Sequence, residues 1–333
     1  MRHKLALVIK VGVSAALLYF VLRKVDLASV GNRFYDISFI WLATALAVLI
    51  VQMLLNTYRW RVIAELCGIL ITFGRTFRFI MIGTFFNQTL PSSVGGDAVR
   101  IWLLVRDGAS WASSTYSVLI DRMVGVFALA VFVVGSLAWA FVMITNPAGR
   151  LTLLIVGFGT IAGIIAFTLL RYVRHSTLTR WSVIRHLVQL STLAGDTLLS
   201  LKTGPIVTIL SLCIQFLTVL SAWCLGKAAH APLELLQALV LIPPVMLIST
   251  LPVSIAGWGV RETALVLAFA YAGLSQTDGL IVSLLLGAIM VAIGIAGGVV
   301  WLVTTPLTPE SSSAQSDQSQ PAARRSLTQP LQR

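Results

Sequence analysis

An all-α protein built into a lipid bilayer is the architecture this sequence dictates. Of its 333 residues 57% are hydrophobic and 11% charged, and the mean hydropathy is +0.92. A soluble domain carries about 45–50% apolar and about 25% charged residues, so this chain lacks the polar groups to cover its apolar ones in water. Uncharged runs also recur at lengths near the roughly 20 residues that a helix needs to cross the hydrocarbon core. The excess of 24 Lys and Arg over 12 Asp and Glu reads, in a membrane chain, as basic residues held in cytoplasmic loops and beside anionic headgroups, not as a nucleic-acid surface. Cys67, Cys213 and Cys224 have no paired spacing, which excludes a disulfide framework. His3, His175, His186 and His230 form no ligand cluster, so neither a metal nor a cofactor is expected.

The elements follow in chain order. Arg2 and Lys4 precede an apolar run over 5–22 that contains Lys10 and ends in Arg23-Lys24 without a small-residue cleavage site. This predicts a retained first transmembrane helix, with Lys10 snorkelling. Plain spans are predicted at 37–58, 123–149, 151–170, 203–226 and 279–309, and Trp41, Tyr58, Trp60, Trp102, Trp111 and Trp139 near segment ends read as interfacial anchors. Two segments are broken: 79–96 by Pro91 and Gly95-Gly96, and 235–260 by Pro243-Pro244, Pro252, Gly257 and Gly259. The run 263–277 is too short to cross alone. If 79–96 turns back at its break, the basic stretch 171–202 falls on the same side as Arg59, Arg61, Arg75, Arg78 and Arg106, as the positive-inside rule requires. The expected topology is therefore six full spans and two re-entrant helical hairpins, both termini cytoplasmic. Within the basic stretch, Trp181, Ile184, Leu187, Val188, Leu198 and Leu201 recur near helical spacing, predicting an amphipathic helix on the inner leaflet. The membrane domain covers 1–307, in halves of about 1–149 and 150–307, and the Ser/Gln/Pro-rich tail 308–333 is expected to be disordered.

The two breaks resemble each other. LPSSVGGDAVR (90–100) and LPVSIAGWGVR (251–261) share Leu90/Leu251, Pro91/Pro252, Ser93/Ser254, Gly96/Gly257, Val99/Val260 and Arg100/Arg261. Each lies at the third membrane segment of its half, and the halves begin on opposite sides, so an inverted repeat is expected. Paired Gly/Pro-interrupted segments in corresponding positions point to a transporter's binding site. Proline ends a helix and lacks a donor, while glycine lets another group approach the backbone. A new helix then starts near Asp97 and near Gly259, and helix N-termini attract anions. Arg100 and Arg261 stand about a turn further in, able to grip a phosphate. The expectation is one phosphate-sized pocket near the midplane, shared by both helix ends.

The remaining charges allow two readings. Asp97, Asp121, Arg122 and Glu262 either form a network that rearranges during transport, or make local pairs: Asp97–Arg100, Arg261–Glu262, and Asp121–Arg122 at the membrane boundary. Arg59 and Arg61 read as positive-inside anchors at the end of the second span. There is no P-loop, no G-x-S-x-G elbow, no Cys/His pair and no aspartate-rich metal motif, so no enzyme site is expected.

The series NQTLPSSVGGDAVR (87–100), DRMVG (121–125) and LPVSIAGWGVRE (251–262) resembles the lysylphosphatidylglycerol synthase transmembrane region family over about residues 5–305. The resemblance implies a flippase-like protein of the cell inner (plasma) membrane that moves or presents lipids. By matching position, its motif residues are Asn87, Pro91, Gly95, Gly96, Asp97, Arg100, Asp121, Arg122, Pro252, Gly257, Gly259, Arg261 and Glu262. With Ser93 and Ser254, these are the candidate substrate-binding residues. Members that make lysyl-lipids carry a soluble aminoacyltransferase domain after the membrane region. Here a polar tail follows instead, so no aminoacyl-lipid synthase activity is expected of this chain alone. The expected function is translocation or presentation of an anionic phospholipid or polyprenyl-phosphate-linked lipid. The alternatives are a transferase with Asp97 or Glu262 as base, an accessory subunit serving a separately encoded lipid-modifying enzyme or glycosyltransferase, and a small-anion transporter.

Overall fold

The computed structural model describes residues 36–90, 94–172, 182–250 and 258–304. Ten helices account for nearly all of them: α1 (Phe39–Leu66), α2 (Phe73–Thr89), α3 (Gly95–Arg106), α4 (Trp111–Met143), α5 (Pro147–Leu170), α6 (Ser182–Leu199), α7 (Gly204–Ala228), α8 (Leu235–Ser249), α9 (Val260–Tyr271) and α10 (Gln276–Thr304). No strand occurs among the described residues. α1, α4, α5, α7 and α10 are long and apolar enough to cross a membrane, and they match the five plain spans expected. The run 5–22 and the tail 308–333 lie outside the described residues.

Local chemistry sets the helix ends. Ser110 Oγ accepts from the Ser113 N–H at 3.0 Å at the start of α4, and Asn146 Oδ1 accepts from the Ala148 N–H at 2.9 Å at the start of α5, where Pro147 occupies the first turn. Two helices run further than their uncharged stretches. α1 continues past Tyr58 through Arg59 and Arg61, and α4 begins at Trp111, carrying Asp121 and Arg122 well inside it. Charge failed as a ruler here because these side chains are paired and need not sit at a helix end. Pro243-Pro244 does not break its segment either: both lie buried within α8. Packed neighbouring helices let a membrane helix tolerate the lost donors.

The broken segments are helix pairs. Arg75 Nη1 donates to both carboxylate oxygens of Asp107 at 3.0 Å, tying the start of α2 to the end of α3, so the two arms run antiparallel. With 17 and 12 residues they are about 26 and 18 Å long, short of the ~30 Å hydrocarbon core. The arms close tightly at Gly96, where a Cβ would stand 2.1 Å from the Gly83 carbonyl oxygen. α8 and α9, of 15 and 12 residues, form the second pair.

The packing partners exchange in an orderly way between α1–α4 and α7–α10. α1 lies along α7, α2 on α10 as α8 lies on α4, α2 on α3 as α8 on α9, α3 on α4 as α9 on α10, and α1 on α2 and α4 as α7 lies on α8 and α10. α4 also packs on α7. The largest apolar core joins α1, α7, α8, α9 and α10, with Leu225, Leu233, Ile242 and Phe269 fully buried. α6 rests on α4, α5 and α7: Val188 and Leu190 are buried and Ser191 Oγ donates to the Phe167 carbonyl at 2.6 Å. The predicted helix is present; Val188 packs on protein, Leu187 and Leu201 stay exposed, and Trp181 and the Ile184 side chain lie outside the described residues.

Candidate functional site

α3 begins where the sequence places the first break, and its opening turns are met by groups from three other helices. The Asn87 side chain of α2 accepts from the Gly96 N–H at 2.9 Å. Asp97, one residue on, is buried and receives Arg122 Nε of α4. Arg100 Nη2 donates to Asp121 Oδ2 at 3.1 Å, and Nη1 stands 3.5 Å from Asp97 Oδ1. On the other side of Asp121, Arg59 of α1 donates through Nε to Oδ1 at 3.0 Å. Its remaining donors reach Ser211 Oγ of α7 at 3.2 Å and Asn56 Oδ1 at 3.0 Å. Three guanidiniums thus share two carboxylates in one chain of contacts, Arg59–Asp121–Arg100–Asp97–Arg122. The Arg100 guanidinium also stacks on Trp60, 3.8 Å from the ring centroid, within cation–π reach.

The cluster is deep. Arg59 lies seven residues before Leu66, Arg100 seven before Asp107 and Asp121 ten after Trp111, about 10–15 Å along each helix from its end. The side chains of Arg59, Asp97, Arg100 and Asp121 are all under a tenth exposed, whereas Arg122 is 32% exposed and forms the mouth. Two donors inside the cluster, Arg100 Nε and Trp60 Nε1, are buried without a hydrogen-bond partner. Buried ion pairs recover their desolvation cost only with good geometry and satisfied hydrogen bonds; here every carboxylate oxygen accepts from at least one arginine.

The second break is built differently. Glu262 of α9 is fully buried; its Oε2 accepts from the Gly259 N–H at 2.6 Å and its Oε1 from Arg261 Nη2 at 2.8 Å and Ser283 Oγ at 3.0 Å. Arg261 Nε donates to Ser283 at 3.1 Å, and its guanidinium lies 5.3 Å from the Trp258 ring. One cation faces one anion. Of the two readings of the charges, the first half forms a cross-helix network and the second half a local pair.

Gly95, Gly96, Asn87, Asp97, Arg100, Asp121 and Arg122 come together, and Gly259, Arg261 and Glu262 come together. Pro91, Ser93, Pro252, Ser254 and Gly257 lie outside the described residues. Among the described residues Arg100 pairs with Asp97 and Asp121, and Arg261 with Glu262 and Ser283. One N–H at each helix start is taken internally, that of Gly96 by Asn87 and that of Gly259 by Glu262.

Arg59, Trp60, Asn56 and Ser211 were missed. Arg59 and Trp60 are not interfacial anchors, because both are buried in the cluster. The missed signal was helical phase: Asn56, Arg59, Trp60 and Ile63 fall at i, i+3, i+4 and i+7, one inward face of α1. Arg61 and Glu65, on another face, pair at 2.9 Å and are exposed as an anchor should be.

Beside the charged mouth runs apolar space. A cleft of about 470 Å³ lies between α4, α5 and α8, lined by Met123, Val126, Phe127, Val156, Ile248 and Thr250 among others. Val126 is four residues after Arg122, one turn along the same helix face. A second cleft, of about 410 Å³ between α5, α8 and α9, shares Val156 and Ile248 with it.

The family model described as the Lysylphosphatidylglycerol synthase TM region matches residues 7–298. No curated protein and no solved structure matches the chain.

Proposed function

The chain belongs to the lysylphosphatidylglycerol synthase TM region family, membrane proteins linked to lipid metabolism, and on that premise we propose that it is a lipid translocase of the plasma membrane. Its substrate is an anionic phospholipid or a polyprenyl-phosphate-linked lipid. One observation carries this reading: a buried, arginine-rich cluster opens at Arg122, one helix turn from an apolar cleft. That juxtaposition matches the two chemistries of a lipid, a phosphate and a hydrocarbon chain. The headgroup binds at Arg100 and Arg122, and the chain lies between α4, α5 and α8.

The topology proposed with it is two re-entrant hairpins, α2–α3 and α8–α9, in an inverted repeat with both termini cytoplasmic. The exchange of packing partners between α1–α4 and α7–α10 and the short hairpin arms support it. Translocation breaks no covalent bond, and Asp97 and Glu262, the candidate bases, are each engaged by an arginine; this favours a transporter over a transferase. The partners are membrane lipids with a phosphate-bearing headgroup, delivered to or received from a separately encoded lipid-modifying enzyme.

A proteoliposome assay of leaflet exchange with fluorescent lipids tests this. The pure protein should accelerate exchange, and Arg100→Gln or Arg122→Gln should slow it at least about tenfold, the loss of one charge-assisted contact. No acceleration by the wild-type protein overturns the translocase; unchanged exchange in both variants overturns the site.

A further inference from the structure

We infer that the first-half cluster selects a phosphate bearing a single negative charge, a phosphodiester, over a phosphomonoester or diphosphate. This rests on the reading of the cluster as the headgroup site and adds the charge of the substrate. Among the described residues the cluster contains Arg59, Arg100 and Arg122 against Asp97 and Asp121, a surplus of one positive charge. Its interior is closed to water on four of those five side chains. In such surroundings an uncompensated charge is expensive and a compensated one is tolerated. One monoanion brings the cluster to neutrality, while a dianion leaves it one negative charge in excess.

The donor inventory agrees with the charge. Arg100 Nε and Trp60 Nε1 are buried and lack partners, and Trp60 is the ring on which the Arg100 guanidinium sits. A bound phosphodiester has two non-bridging oxygens to accept from such donors. The second-half pair shows the contrast. Arg261 and Glu262 neutralise one another, and Ser283 and the Gly259 N–H complete the carboxylate. The pair has no charge to offer an anion, so the headgroup is taken in the first half alone and Arg261–Glu262 acts as a clasp on the start of α9.

Native mass spectrometry of the purified full chain tests the rule, using dioctanoyl phosphatidylglycerol (a phosphodiester monoanion), dioctanoyl phosphatidic acid at pH 8 (a phosphomonoester) and soluble glycerophosphoglycerol. Phosphatidylglycerol should bind at least about tenfold more tightly than phosphatidic acid, one uncompensated charge being worth more than the 1.4 kcal/mol of a tenfold difference. Arg122→Gln removes the surplus at the exposed mouth, so neither lipid is compensated and both should bind at least about tenfold more weakly. Asp121→Asn raises the surplus to two and should reverse the order. Equal affinity for both lipids in the wild type, undiminished binding in Arg122→Gln, or an order unchanged in Asp121→Asn, overturns the charge rule and leaves the translocase standing. Glycerophosphoglycerol bound as tightly as phosphatidylglycerol overturns the lipid reading instead, while a preference for singly charged esters would survive.

Discussion

The Arg100 guanidinium lies 3.8 Å from the centroid of the Trp60 ring, a tryptophan with no exposed surface. α1 therefore supplies a fixed platform for the one arginine that touches both carboxylates of the cluster. A desolvated cation–π contact is worth about 2 kcal/mol. Trp60→Leu should slow leaflet exchange in proteoliposomes about thirtyfold, and Trp60→Phe, which keeps a ring, should slow it less. Equal loss in both would mean that the volume of the side chain matters and its π face does not.

Arg59 and Asp121 are coupled across helices, so their substitutions should be far from additive. Arg59→Met leaves Asp121 with one counter-ion, and Asp121→Leu leaves both Arg59 and Arg100 short of one. Removing one partner of a buried pair costs about 3–5 kcal/mol, whereas replacing both by apolar groups costs much less. Thermal unfolding in detergent should place the double variant well above the sum of the single losses. Strict additivity would show that the pair is not coupled in solution.

The five long helices were legible because hydrophobic run length is a direct consequence of bilayer thickness. The breaks were legible because proline and glycine act on the backbone locally. Burial of Arg59 and Trp60 was not legible from run length, since both sit where an uncharged stretch ends and look like ordinary interfacial residues. Only their phase relative to Asn56 and Ile63, one face of a helix that continues to Leu66, separates them from Arg61. The pairing of Asp121 with Arg100 in place of its neighbour Arg122 is a tertiary fact, set by how α3 packs on α4. Pro243-Pro244 misled in the other direction: a break signal that holds in water was overruled inside a packed helix pair.

The closure of the α2–α3 hairpin should depend on the missing side chain at Gly96. A Cβ there would meet the Gly83 carbonyl oxygen at 2.1 Å and the Asn87 Cγ at 2.6 Å, and backbone cannot swing aside as a side-chain tip can. Gly96→Ala should lower stability by about 3 kcal/mol, the upper end for overpacking, and slow leaflet exchange with it. Gly135, inside α4, has open space around its Cβ position, so Gly135→Ala should leave the unfolding midpoint unchanged or raise it.

The clasp at α9 makes a contrasting prediction. Glu262→Gln keeps an oxygen for the Gly259 N–H but strips Arg261 of its counter-ion, and should cost about 3–5 kcal/mol. The double variant Arg261→Met/Glu262→Gln should recover most of that loss and retain leaflet exchange. A folded double variant that no longer moves lipid would place Arg261 against the substrate and remove the assignment of the headgroup to the first half alone.

The topology can be read from a native thiol. Cys67 follows the last residue of α1 and is half-buried, and burial pushes its thiol up from the ordinary range. Because the thiolate is the nucleophile, a raised value means slow labelling at neutral pH that quickens as pH rises. In a Cys213→Ala/Cys224→Ala background, which removes both thiols within α7, a membrane-impermeant maleimide should label Cys67 in inside-out vesicles and not in right-side-out ones. The rate should still be climbing at pH 9 and above, where a thiol of ordinary value begins to level off. Labelling confined to right-side-out vesicles would turn the protein over in the membrane, put the Arg122 mouth toward the outer leaflet and reverse the side from which the lipid enters.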